Sequence, residues 1–176
     1  MWVFGYGSLM GDGWEAAYGC IRRARAELLG YQRTFNKASV RNWGTKAHPC
    51  PTLNVVESAS STCGGIAFEF PDATEQEIRA YLSKREGKGF ALRLFAIRLD
   101  DGSRVDAVVP IYEGKNIIAI GDLAALGRQI LDARGTSGSG TEYVQSVVRE
   151  LKRAGIDDPA VAKVANAIAA LGAASH

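Results

Sequence analysis

The sequence is short of the residues that build metal centres and disulfide frameworks. It holds three cysteines, Cys20, Cys50 and Cys63, and two histidines, His48 and His176. The cysteines are odd in number, widely spaced and form no C-x-x-C pair, which argues against a disulfide scaffold and a zinc knuckle. No cluster of ligand-type residues has metal-site spacing either, so no metal is expected. Long apolar runs are also missing: nothing approaches the roughly 18 consecutive apolar residues of a spanning helix. No charged segment followed by an apolar one opens the chain, and a cytoplasmic protein with no membrane partner is expected. Charge of one sign is scarce as well. The 21 basic residues nearly balance the 19 acidic ones, for a net charge of +2. Apart from IRRARAE at Ile21–Glu27, which reads as a solvated strand edge, the basic residues are scattered, so a nucleic-acid partner is not expected.

What is present is an ordinary globular composition. With 47% hydrophobic and 23% charged residues in a chain of 176, one domain spanning 1–176 is expected, large enough to bury its own core without staples. The tail GAASH, 172–176, is expected to fray. Strand signals fill the chain from Met1 to about Glu113: WVFGY, ELLGYQRTF, TLNVVE, GGIAFEF, FALRLFAIRL and VDAVVPIY. From about Asp122 the period becomes helical, in LAALGRQILDA, TEYVQSVVRELKRAG and PAVAKVANAIAAL. Strands segregated from helices, with no internal repeat, predict an α+β fold built on a small, strongly curved mixed sheet or barrel with surrounding helices. RNWGTKAHPCPT, from Arg41 to Thr52, is expected to be the longest irregular loop.

Two stretches invite a chemical reading. WVFGYGSLM opens as a buried strand and then breaks at Gly5, Gly7 and Ser8. Bare backbone on both sides of Tyr6 lets a small anion approach the peptide N–H groups; a tight turn leaving the first strand explains the same residues, and both readings stand at this point. The second stretch is the helical interruption ATEQEIRAYLSKREGKG. Thr74 and Glu77 fit a capping box and Gly87 a C-terminal stop. Ile78, Leu82 and Glu86 are four residues apart, which sets Glu86 at the edge of the apolar stripe. Burial and the negative end of the helix dipole would both favour its protonated form, the direction a general acid/base needs near neutral pH. Lys84, Arg85 and Lys88 oppose that shift, and on these residues alone a solvated glutamate paired with them is the plainer reading.

Other chemistries have less to stand on. A nucleophilic Ser8 lacks a G-x-S-x-G elbow and has only His48 and the near-terminal His176 as imidazole bases. His48 and Cys50 sit two residues apart in a Pro-rich loop, a spacing with no geometric warrant for a thiol nucleophile. G-Y-G-S-L-M puts Met10 where a dinucleotide fingerprint needs its last glycine, and GTSGSG at Gly135–Gly140 lacks the P-loop lysine and reads as a helix connector.

In chain order, YGSLM, GYQRTF at Gly30–Phe35, GGIAFEF at Gly64–Phe70, YLSKRE at Tyr81–Glu86 and GTEYV at Gly140–Val144 resemble the ChaC-type γ-glutamylcyclotransferases. The resemblance runs from residue 2 to about Ala165, with LKRAGIDD like the family's usual ending. It implies a single domain with a small β-barrel and surrounding helices, working without metal or organic cofactor. The implied reaction releases 5-oxoproline from a γ-glutamyl compound, most of all glutathione, which gives 5-oxoproline and Cys-Gly. Related branches act on γ-glutamyl amino acids or amines, and a protein that binds a γ-glutamyl group without turning it over is a further alternative. Residue by residue, the resemblance implies Glu86 as catalytic acid/base, Gly5, Tyr6, Gly7, Ser8 and Leu9 as a substrate-binding loop, and Tyr143 as a further contact. The family's Arg-Gly-Thr run and Pro-Gly-Leu are replaced here by RNWGTKAHPCPTL, so Arg41 is a candidate counterpart only.

Overall fold

A computed structural model of the chain describes residues 1–119 and 121–173. These fall into two compact units, the first made of Met1–Gln32 and Val55–Lys115, the second of 33–54 and 116 onward. Among the described residues, strands β1 (Trp2–Gly5), β2 (Arg22–Ser39), β3 (Cys50–Glu69), β4 (Phe90–Leu99) and β5 (Arg104–Tyr112) close into a barrel in the order β1-β3-β2-β4-β5. The sheet is mixed. β1 runs antiparallel to β3, with Trp2 opposite Glu69, and parallel to β5, with Trp2 opposite Ala107. β4 and β5 form an antiparallel hairpin from Phe90 opposite Tyr112 to Arg98 opposite Arg104. A closed sheet pairs each strand on both sides, and here the barrel is built with very long β2 and β3.

Two elements expected as separate strands, TLNVVE and GGIAFEF, are one continuous β3. The SASSTC between them, followed by Gly64 and Gly65, is rich in the residues of turns, but a ladder is bonded through backbone groups that every one of these residues carries. β2 likewise starts at Arg22, so most of the IRRARAE cluster lies within a strand, where Arg22 pairs with Asp101 at 2.8 Å and Glu27 with Arg98.

In the first unit helix α1 (Glu75–Glu86) packs against β4 through fully buried Ile78 and Leu82. Its stop is as expected: Gly87 has φ 78° and its N–H donates to Ser83 O at 3.1 Å, a conformation that glycine adopts without a Cβ penalty. The expected capping box is not formed. Thr74 is the N-cap, but its hydroxyl donates to Pro71 O at 2.8 Å, and Glu77 is exposed. A 3₁₀ turn over Asp72–Thr74 runs straight into α1, leaving Thr74 at φ −94°, ψ 0° rather than in the extended conformation that swings an N-cap side chain over the first turn.

The second unit holds α2 (Leu123–Asp132), the short hairpin β6 (Arg134–Gly135) and β7 (Gly138–Ser139), α3 (Gly140–Ala154) and α4 (Pro159–Ala173), with the three helices packed on one another. A capping box does occur here: the Ser139 hydroxyl accepts from Glu142 N–H at 3.1 Å while Glu142 Oε2 accepts from Ser139 N–H at 2.6 Å. Those bonds hold the Glu142 carboxyl below its ordinary range. Asp158 accepts from the buried Arg33 guanidinium at 2.6 Å and caps α4 through Val161 N–H at 3.0 Å. The irregular segment expected over Arg41–Thr52 ends sooner, since Cys50, Pro51 and Thr52 already belong to β3. Its start is pinned by Thr136 N–H to Arg41 O at 2.9 Å and Ser137 N–H to Asn42 O at 2.7 Å. Of the tail expected to fray, Gly172 and Ala173 close α4, and residues 174–176 lie outside the described residues.

Candidate active site

The glycine-flanked stretch and Glu86 both belong to the first unit. β1 ends at Gly5, and the chain folds back so tightly that a Cβ there would lie 3.0 Å from Leu9 Cβ and 3.1 Å from the Leu9 carbonyl carbon. Only glycine fits without pushing Leu9 away. Tyr6 is buried and its hydroxyl donates to Pro110 O at 2.8 Å, anchoring the stretch to β5. Met10 N–H then bonds to Gly7 O at 3.0 Å, closing a single 3₁₀ turn over Ser8–Met10 with the Leu9 and Met10 side chains buried.

Three side chains grip successive carbonyl oxygens of this turn. Arg85 Nη2 donates to Ser8 O at 3.3 Å, the Trp14 indole to Leu9 O at 3.0 Å, and Arg23 Nη2 to Met10 O at 2.5 Å. In a trans peptide the C=O and N–H point in opposite directions. Holding Ser8 O toward Arg85 therefore aims Leu9 N–H away from it, and the Gly7 carbonyl, turned to Met10, aims Ser8 N–H the other way. The opening stretch is thus a tight turn fixed on its carbonyl side, and its first two N–H groups have no acceptor within the turn. Trp14 adds rigidity by stacking on Tyr81 of α1 at 5.4 Å and 15° and meeting Phe68 edge-on at 5.5 Å, contacts worth about 0.5–1.5 kcal/mol each.

Glu86 closes α1 with a side chain only 15% exposed, its Oε1 3.5 Å from Arg85 Nε. Of the three cations expected to pair with it, Arg85 does so, while neither Lys84 nor Lys88 forms an ion pair among the described residues; the carboxylate is largely buried rather than solvated. That arginine also reaches Asp12 Oδ2 at 2.6 Å and the Tyr81 hydroxyl at 2.8 Å. One guanidinium therefore touches both Ser8 and Glu86, which brings the loop and the carboxylate to a common place. Nothing in the sequence singles out Asp12, Trp14 or Arg23. Arg85 carried a signal, since it stands four residues after Tyr81 on the same helix face.

Tyr143 and Arg41 belong to the second unit. Tyr143 is buried on α3, its hydroxyl oxygen accepts from Leu53 N–H at 2.9 Å, and its ring lies 5.3 Å from that of Trp43. Arg41 is exposed, and its backbone carbonyl accepts from the Thr136 hydroxyl at 3.2 Å as well as from Thr136 N–H. His48 is exposed and Cys50 fully buried; burial pushes the Cys50 thiol up to about 12 against a smaller opposing pull from Lys37. A thiol so reluctant to ionise is no nucleophile at neutral pH.

The same shift has a stability consequence. The folded state resists an ionisation that the unfolded chain undergoes near pH 9, so the contribution is intact below that pH and is lost as pH rises from there toward 12, by at most about 1.4 kcal/mol per pH unit. Cys50→Ala is expected to be less stable overall but to lack this slope. Melting temperatures of both proteins between about pH 8 and pH 10.5 check it; parallel curves would show that burial does not shift the thiol between the folded and unfolded states.

No described helix is long and apolar enough to cross a membrane, and among the described residues no group of three or more His, Cys, Asp or Glu side chains could hold a metal ion. The barrel with its helices is the γ-glutamylcyclotransferase fold. A solved yeast γ-glutamylcyclotransferase specific to glutathione matches it with a TM-score of 0.85 at 19% identity, over 97% of this chain and 96% of that one. A second solved γ-glutamyl cyclotransferase matches at 0.59 and 11% identity, over 93% and 85%. The model of the ChaC-like protein family matches residues 1–171, and the chain belongs to that family. Among its relatives, the glutathione-specific γ-glutamylcyclotransferase of Escherichia coli is 31% identical over 90% of this chain and 68% of its own length. Gamma-glutamylcyclotransferase 2-3 of Arabidopsis thaliana is 25% identical over 96% and 88%.

Proposed function

We propose that the protein is a γ-glutamylcyclotransferase acting on glutathione, releasing 5-oxoproline and Cys-Gly. The α-amine of the γ-glutamyl residue attacks the γ-amide carbonyl, forming the ring N–C bond, and the amide C–N bond to cysteine breaks. Nucleophile and electrophile belong to one molecule, so holding it folded supplies much of the rate. An ammonium cannot attack. Glu86 takes its proton and returns one to the departing amine of Cys-Gly, so the carboxylate ends as it began. Ser8 and Leu9 N–H groups, in the stretch Gly5–Tyr6–Gly7–Ser8–Leu9, receive the substrate's α-carboxylate or the oxyanion formed at the γ-carbon.

The observation that carries this reading is the single guanidinium of Arg85 lying on both Ser8 and Glu86: donors and base converge in a chain whose family includes glutathione-specific cyclotransferases. For Tyr143 and Arg41 the support is the resemblance alone. One working domain is supported by the family match across 1–171 and by β2 and β3 passing unbroken from one unit into the next. A reducing, cytoplasmic setting suits three cysteines that form no disulfide among the described residues.

Purified protein is expected to convert glutathione to 5-oxoproline and Cys-Gly without added metal, as read by mass spectrometry. Equal or faster turnover of γ-glutamyl-alanine would move it to a neighbouring branch. Tight binding of glutathione with no product would make it a binding protein.

A further inference from the structure

We propose that Arg85 is the positioning residue of this site: one guanidinium fixes the Ser8 carbonyl and, from another edge, holds the Glu86 carboxylate charged and in place. The proposal rests on the role given above to Glu86. A guanidinium is a planar fork with five N–H donors, able to serve several acceptors in fixed directions. Here all three nitrogens are engaged. Nη1 meets Asp12 Oδ2 at 2.6 Å and the Tyr81 hydroxyl at 2.8 Å; Nη2 meets Ser8 O at 3.3 Å and Ser8 Oγ at 3.5 Å; Nε faces Glu86 Oε1 at 3.5 Å. A plain surface ion pair with Asp12 would use one edge of the fork and leave the rest in water. This side chain is only 18% exposed, so its charge acts in a partly desolvated place where it is screened less than on an open surface.

The other charged groups on and around α1 are either paired elsewhere or exposed. On the elements packed against α1, Arg93 and Arg98 of β4 pair with Glu113 and Glu27, and Asp72 pairs with the N-terminal amine. Within α1, Arg79 pairs with Glu75, while Lys84 and Lys88, which flank Glu86, are exposed; Tyr81 and Asp12 both meet Arg85. Arg85 is the cation whose guanidinium lies against the Glu86 carboxylate, at 3.5 Å. The chemistry needs such a cation twice: at hand, it keeps the resting base anionic, ready for the ammonium proton, and once the proton arrives it favours passing it on to the leaving amine.

Two variants and two readouts test this. Removing an opposite charge at such a distance moves a carboxylate by about one pKa unit or more. In Arg85→Gln the acidic limb of the kcat/KM profile, and the Glu86 carboxyl titration read by ¹³C NMR, should therefore both move about one unit or more to higher pH. The same variant loses its grip on Ser8, so KM for glutathione should rise about tenfold, the loss of one charge-assisted hydrogen bond. Arg85→Lys keeps the charge and loses the fork: the titration should return close to wild type while KM stays raised. A lower melting temperature with Glu86 titration and KM both unmoved would overturn the proposal, and movement of only one would overturn the link between loop and base. If Arg85→Gln does not fold, the lysine variant decides: a raised KM supports the proposal and a wild-type KM overturns it. If the wild-type protein proves not to turn over glutathione, the reaction proposed above fails, and the NMR titration still decides whether Arg85 governs Glu86.

Discussion

Glu86→Gln is expected to lower the turnover number about a hundredfold to ten-thousandfold, the range for losing a general acid/base, with much smaller change in glutathione binding. Glutamine keeps the shape and most of the hydrogen bonding of the side chain but cannot carry a proton between two nitrogens. Because the side chain is largely buried beside Arg85 rather than paired with Lys84 or Lys88, the substitution tests chemistry more than surface charge. Glu77→Gln is the matched control: Glu77 is exposed on the same helix and takes no part in its cap, so its rate should stay near wild type. Steady-state assays of both, with circular dichroism to confirm folding, separate the outcomes. A folded Glu86→Gln enzyme keeping more than about a tenth of wild-type turnover would end the assignment of Glu86 as base.

The second large effect is expected at the other end of the site. Gly5→Val places a Cβ 3.0 Å from Leu9 Cβ, 3.1 Å from its carbonyl carbon and 3.3 Å from its carbonyl oxygen, before the two branching methyls are counted. Leu9 must shift, and with it the N–H that its neighbours hold in position. Losing two anion-directed hydrogen bonds should weaken glutathione binding about a hundredfold or more. Calorimetry on the folded variant, set beside its melting curve, measures this. Unchanged affinity in a protein that has kept its fold would mean that the turn is only a turn.

What the sequence could show and what it could not divide along physical lines. The stripe of Ile78, Leu82 and Glu86 suggests an inward-turned Glu86, but its basic neighbours make a solvated one the plainer reading of the sequence; Ile78 and Leu82 are fully buried and Glu86 is 15% exposed. The barrel was legible as alternating strand signals followed by helical ones. β3 was misread as two strands because serine and glycine weaken local preference, whereas its continuity comes from pairing partners far away in the chain. The caps show the same limit from both sides: T-x-x-E at Thr74 is idle because a 3₁₀ turn precedes it, and S-x-x-E at Ser139, equally readable, forms both bonds. Apart from Arg85, four residues after Tyr81 on one helix face, the grip on residues 8–10 leaves no sequence signal. Its donors come from positions 14, 23 and 85 and its acceptors are backbone oxygens, which every residue possesses.

That grip decides when conformational entropy is lost. Confining a residue's backbone to one well costs about 1–2 kcal/mol, and for Ser8, Leu9 and Met10 the cost falls at folding, where the buried Trp14 and the packed helix offset it. A ligand arriving later finds its donors already aimed and orders only itself. The freely rotating part of the encounter is then the γ-glutamyl arm, whose three carbon–carbon bonds must bend its amine back onto its own carbonyl. If the stretch is the seat proposed above, an arm one methylene longer or shorter would meet the same rigid framework with its ends at the wrong separation, and discrimination by length would follow from a part of the protein that cannot adjust to compensate.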